Sequence, residues 1–314
     1  MSKLQQNKGT VKLKGKIFNL HSDKKDSKFE NESIKKLNFG IKTADDNVHF
    51  VQLLQFKNNK RVWVSWRDEN KKNHTKEINW NERLNYKTGN KTVIGVRVKS
   101  KNDEEVVNLV ADDAIDYILS SFEDGDDVFV LCDVNYREYN DKTIQDKEIK
   151  SIFAAKEEID FAAEDFEEIN DFEQEIVFEK AIANKDGKIL VYGRIIDYKK
   201  DFILVPFVVN GNENKELAKY LVKQCDFGDI LKIVGKVHNR VIYKEIEQEQ
   251  PQFLIGSVPK SYKNTGKQRV IDSERKEFEI LGITEHKKGI YKAEDFAKNK
   301  EEENDNEDLP DFLK

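Results

Sequence analysis

The chain reads as a mainly β protein, two Greek-key barrels in tandem with one short helix each and a disordered acidic tail at the C-terminus. Two observations predict the barrels. The same plan occurs twice: short β-branched and aromatic runs, one segment of helical period, a Gly-Asp pair, then a long β run. The runs themselves are rich in the β-branched and aromatic residues that favour strands.

In the first half the expected strands are 10–19, 37–42, 48–56 and 93–98. A short helix follows at 112–122, where Ile115, Ile118, Leu119 and Phe122 share one face. Gly125-Asp126 then breaks the chain before a strand at 128–139 that opens a long hairpin. The second half repeats this with strands at 175–182, 189–196 and 202–209 and a helix at 213–224 carrying Leu217, Ala218, Tyr220, Leu221 and Val222. Gly228-Asp229 leads into a strand at 230–243. Several strands, one helix, then a hairpin is the element order of the OB-fold, a five-stranded Greek-key barrel. The expected organisation is a first barrel over 1–156 with a basic aromatic insert and an acidic amphipathic helix or linker over 157–173. A second barrel over 174–292 and a tail over 293–314 follow. The helix reading rests on Ile159, Ala162, Ala163, Phe166 and Ile169 at helical spacing among ten acidic residues and no Lys or Arg in 157–175. Short strand candidates at 253–258 and 277–283 either complete the second barrel or add a hairpin to it.

Composition excludes several classes of function. No apolar run approaches the ~18 residues of a membrane span, and the first six residues lack the apolar core of a signal peptide, so a cytoplasmic protein without membrane partners is expected. Cys132 and Cys225 share no ligand spacing with each other or with a histidine, and both read as reduced core thiols. His21, His49, His74, His238 and His286 are scattered, and neither a phosphate-cradling glycine loop nor a Gly-x-Ser-x-Gly elbow occurs. No catalytic residue, metal site or cofactor is expected, and the chain does not read as an enzyme.

The binding chemistry concentrates in 57–101, with 13 basic and 4 acidic residues and all three tryptophans of the protein. Cations that follow phosphates and flat rings on which bases stack are the two ingredients of a single-strand groove. The candidates are Arg61, Trp63, Trp66, Arg67, Lys71, Lys72, Lys76, Trp80, Arg83 and Tyr86, with a thinner set, Arg194, Lys236, Arg240 and Tyr243, in the second barrel. Trp63 alternates with Val62 and Val64, so it faces solvent if the valines face the core, and Trp66 falls on the valine side. At the other end, 301–311 holds seven carboxylates, which leaves the rest of a chain of net charge −6 at about +1. Such a block cannot offset its ordering entropy by burial. It ends in the apolar hook Leu309-Pro310-Asp311-Phe312-Leu313, whose proline limits the conformations lost on docking and whose Phe can fill a partner's pocket.

Asp308, Leu309, Pro310 and Phe312 resemble the acidic Pro-Phe terminus of bacterial single-stranded DNA-binding proteins, with Asp311 inserted and Leu313-Lys314 appended. The run Gly228-Asp229-Ile230-Leu231-Lys232-Ile233-Val234-Gly235 resembles the strand that follows the barrel helix in that family, and Gly125-Asp126 opens a looser copy. The resemblance implies OB-type barrels that bind and protect single-stranded DNA irrespective of sequence during replication, recombination or repair. It also implies a tail from Asp308 to Leu313 that recruits helicase, polymerase, primase or recombinase partners. The Lys/Asn/Glu-rich, proline-poor composition fits an AT-rich bacterium or its bacteriophage acting in the host. Two other readings stay open on the residues alone, a protein-interaction scaffold with little nucleic-acid affinity and a single-stranded RNA binder, because stacking does not see the 2′-hydroxyl.

Overall fold

A computed structural model describes residues 4–21, 28–140, 142–184, 187–247 and 267–296; the expected strand at 253–258 and the tail from 297 onward lie outside the described residues. The chain forms two units. The larger takes its described residues from 8–174 and 234–280, the smaller from 4–7, 175–233 and 281–296. The units are therefore not the contiguous blocks that element order suggests, since 234–280 joins the first barrel's unit.

In the larger unit, β1 (Gly9–Phe18), β3 (Ile34–Ala44), β4 (Asn47–Phe56), β10 (Asp127–Tyr139) and β11 (Lys142–Ala154) close a barrel, and β2 (Lys28–Glu30) pairs on the outside of β3. β1 pairs antiparallel with β3, β3 with β4, β10 with β11 and β10 with β1. The closing contact is parallel, Glu148 of β11 opposite Gln52 of β4. This circuit, first–second–third–fifth–fourth–first, is the OB-fold closure, and the helix α1 (Ala111–Ser121) sits where that fold places it, between the third and fourth strands. Alternation fills the interior: Val11, Leu13, Ile17, Leu37, Phe39, Ile41, Val51, Leu53, Val128 and Val130 are all buried.

Between β4 and α1 lies the insert, β5 (Val62–Arg67), β6 (Asn73–Ile78), a 3₁₀ turn (Trp80–Tyr86), β7 (Lys91–Val93), β8 (Val96–Lys99) and β9 (Val107–Leu109). β6, β5 and β7 make a separate three-stranded sheet, whereas β8 pairs with β11 and β9. The single strand expected over 93–98 is thus split at Ile94-Gly95. Ile94 N–H donates to the Trp63 carbonyl at 2.7 Å, holding one half to the small sheet. Gly95 passes so near Leu109 that an added Cβ would lie 2.1 Å from its carbonyl oxygen.

Of the two readings of 157–173, helix or linker, the structure shows the linker: turns at 161–162 and 164–165 and irregular chain up to 169, where strand β12 (Asn170–Ala183) takes over. Nothing in the stretch offers the Lys or Arg that would relieve carboxylates at helical spacing. Instead Asp160 accepts the Ala162 N–H at 2.9 Å, and Ile159 is buried without a helix around it.

The smaller unit repeats the circuit with residues of β12, β13 (Lys188–Ile196), β14 (Phe202–Asn210), β16 (Lys267–Lys287) and β15 (Ile230–Glu247), neighbours in that order, with β15 closing on β12. Helix α2 (Lys215–Lys223) again separates third and fourth strands. The Gly-Asp pairs do the same work in both barrels. Gly125 and Gly228 take φ of +92° and +88°, a region glycine enters at no steric cost. The aspartate then closes the turn it ends: Asp126 accepts the Glu123 N–H at 2.8 Å, and Asp229 accepts the Asp226 N–H at 3.0 Å.

Candidate nucleic-acid interface

On the larger unit's barrel, the residues that alternate with the core form an outward sheet face rich in cations and rings. Cross-strand register sets Phe18 opposite Gly40 and Gly40 opposite Phe50. Phe18 is 38% exposed and Phe50 52%. Gly40 leaves the middle of this row flat, because a Cβ there would come within 3.1 Å of both Phe18 and Val48. The neighbouring rows are Lys16–Lys42–Val48 on one side and Asn38–Gln52, Lys36–Leu54 and Ile34–Phe56 on the other. Phe56 is 51% exposed, and Phe29 of β2, opposite Lys36, is 55% exposed. Lys12 and Lys14 continue the face along β1. Lys16 pairs with Asp127 at 3.0 Å, while Lys12, Lys14, Lys36 and Lys42 meet no carboxylate among the described residues. The β10–β11 hairpin ends at Tyr139, 60% exposed, with Arg137 on the same arm tied to Asp146.

These residues were missed by reading for clusters along the chain. The signal that finds them is phase: Phe50 and Phe56 are out of step with Val51 and Leu53, and Phe18 with Leu13 and Ile17, so each ring belongs to the solvent side.

The insert divides its candidates. Val62 and Val64 are buried and Trp63 is 43% exposed, on the open face of the small sheet with Arg67, whose Nε donates to Asn73 at 2.8 Å. Arg61, Lys71, Lys72 and Lys76 are exposed. Trp66 lies on the valine side and is half-buried, with His74 stacked at 5.4 Å and the Lys91 ammonium 4.3 Å from its ring centre. His74 also meets Asp68 at 2.8 Å, and that hydrogen bond holds the Asp68 carboxyl below its usual range. Trp80 and Tyr86 pack on the small core of Val62, Val93 and Val110. Arg83 lies over Trp80 at 4.3 Å and grips Asp113.

The cations expected for the second barrel are held by their own chain, Arg194 in the smaller unit and Lys236 and Arg240 in the larger. Arg194 reaches Glu179 at 2.5 Å and sits 4.5, 5.0 and 4.6 Å from the rings of Phe202, Phe227 and Phe296. Lys236 meets Asp171 at 2.6 Å and the Glu168 carbonyl at 2.7 Å. Arg240 bridges Asp46 and Glu168. Tyr243 lies on β15 with its side chain outside the described set, as does the whole of Asp308 to Leu313.

Little reactive chemistry accompanies these surfaces. Burial pushes the Cys132 thiol up to about 12 and the Cys225 thiol up to about 11, so both are protonated at neutral pH. Among the described residues, no three His, Cys, Asp or Glu side chains gather as a metal site, and no helix is long and apolar enough to cross a membrane.

Comparison with solved structures finds the wild-type single-stranded DNA binding protein from Thermus aquaticus, 12% identical with a TM-score of 0.42, over 92% of this chain and 98% of that one. A deletion mutant of the same protein matches at 12% identity and a TM-score of 0.38, over 75% of this chain and 89% of that one. No curated protein matches the chain. The family model described as YorF matches residues 57–309, most of the chain, and the protein belongs to the YorF family.

Proposed function

We propose that the protein binds single-stranded DNA irrespective of sequence, through the outward face of β1, β3 and β4. The observation that carries this reading is the flat row Phe18–Gly40–Phe50, flanked by Lys14, Lys36 and Lys42. Rings open to solvent accept base faces, each stacked base being worth roughly 1–3 kcal/mol, and ammonium groups without carboxylate partners are available to phosphates. Oligonucleotides bind OB-folds on the second and third strands and the loops beside them, which here are β3, β4, the β2 segment with Phe29 and the hairpin tip with Tyr139. The open face with Trp63 and Arg67 extends the same chemistry into the insert. Duplex DNA hides its base faces and cannot use such a platform. The expected role is non-catalytic protection of exposed strands in the cytoplasm during replication, recombination or repair, with Asp308 to Leu313 recruiting other replication or recombination proteins.

The test is fluorescence anisotropy of a labelled ~30-nucleotide poly-dT strand titrated with the full chain, with RNA and duplex of equal length as competitors, at low and moderate salt. Tight, salt-weakened binding resisted only by single strands supports the proposal. Equal binding to duplex overturns it, and stronger competition by RNA moves the ligand to RNA.

A further inference from the structure

The smaller unit carries an aromatic tip that neither barrel's packing explains. β13 and β14 are joined by a five-residue turn, 197–201, and Tyr198 at its apex is 71% exposed, the most exposed large apolar side chain among the described residues. The turn is held firmly. Asp197 N–H donates to the Asp201 carbonyl at 2.8 Å, and its carboxylate accepts the N–H groups of Lys199 and Asp201 at 2.8 and 3.0 Å. Lys200 takes a φ of +71°, which turns the chain within one residue. The Tyr198 hydroxyl meets no partner among the described residues, and the Lys199 ammonium lies 5.7 Å from its ring centre. A rigid turn that sets one ring in water and two lysines beside it loses little side-chain entropy on binding, since a tyrosine has only two side-chain torsions to order. Asp197 is committed to the backbone, so Lys199 and Lys200 face Asp201 as the one other charge on the turn.

We infer that Tyr198 is a stacking finger, a second nucleobase site in the smaller unit, with Lys199 and Lys200 contacting the adjoining phosphates. This rests on the single-strand reading above, and it assigns to the smaller unit a contact point at a hairpin tip, apart from Arg194, which Glu179 and three rings hold internally.

The experiment is ultraviolet crosslinking of the full chain to a ~40-nucleotide strand carrying 5-iododeoxyuridine, with affinity measured in parallel for Tyr198→Phe and Tyr198→Leu. Crosslinks to Tyr198, unchanged affinity in the Phe variant and a loss of about fivefold or more in the Leu variant are expected for a stacked base. Changing Lys199 and Lys200 to Gln lowers the log–log salt slope by about 1.4, two phosphates at about 0.7 each. A wild-type chain that binds the strand, with no crosslink at Tyr198 and a Leu variant of wild-type affinity, overturns the finger and leaves the Phe18–Phe50 platform standing. A wild-type chain that binds no single strand overturns both.

Discussion

Arg83 holds Asp113 in a two-point grip, Nε to Oδ2 at 2.7 Å and Nη2 to Oδ1 at 2.8 Å, which fastens the insert's 3₁₀ turn to the first turn of α1. Both side chains are largely shielded, at 17% and 18% exposure. The sequence offers Arg83 as a phosphate contact, and the structure gives it a partner. Arg83→Ala is therefore expected to cost about 1–3 kcal/mol of stability by leaving Asp113 without its partner, read in urea unfolding, and to leave the salt slope of DNA binding unchanged. A slope reduced by about 0.7 with unchanged stability would return Arg83 to the interface.

Phe18 and Phe50 lie open on the barrel, so removing them should cost affinity and little stability. Phe18→Ala with Phe50→Ala is expected to weaken poly-dT binding by about 1–3 kcal/mol per stacked base lost, with a thermal midpoint within a few degrees of wild type. Wild-type affinity in the double variant would show that bases stack elsewhere.

Lys36 and Lys42 flank that row without carboxylate partners among the described residues. Changing both to Gln should lower the log–log salt slope by about 1.4 and weaken DNA strands of any sequence alike. Anisotropy over a salt series decides, and loss confined to one base sequence would contradict the assignment.

His49 sits inside the larger unit's barrel with no exposure and, among the described residues, no hydrogen-bond partner on either ring nitrogen. Burial, with the cations Lys147, His238 and Arg240 nearby, holds its pKa well below 6.5, and burial also lowers that of His238. Below pH ~6.5 the unfolded chain takes up protons that these folded imidazoles refuse, so stability is full above that pH and falls as pH drops, by up to ~1.4 kcal/mol per unit for each group. His49→Leu should flatten the decline between pH 6.5 and 5 by one such group, as measured by chemical unfolding across that range. An unchanged slope would mean that the folded imidazole gains the proton as readily as the unfolded one.

Removing 301–314 takes away seven carboxylates and one lysine. If the tail competes with phosphates for the lysine face, the shortened chain binds single strands severalfold more tightly at low salt. The gain should fade near 0.15 M salt, where screening acts over about 8 Å. Equal affinity at low salt would remove competition as a role of the tail.

Much of the architecture is local information. Runs of β-branched and aromatic residues, one apolar stripe in α1 and in α2, and a Gly-Asp turn after each helix are written within a few residues of one another and were enough to read two OB-type barrels, as the alternation of Val62, Trp63 and Val64 was for the outward turn of Trp63. The same locality left 157–173 open between helix and linker, and there charge repulsion and the short-range hydrogen bonds of Asp160 favoured turns over the helix that the apolar spacing suggested. Only the tertiary structure decided which rings and cations act together. Phe18, Gly40 and Phe50 become one row through strand register between distant segments, and Arg83, Arg194 and Arg240 are withdrawn from solvent by Asp113, Glu179 and the pair Asp46 and Glu168. Alternation states which side of its own strand a residue faces; its neighbours there are set by pairing across loops of any length, which no local pattern encodes.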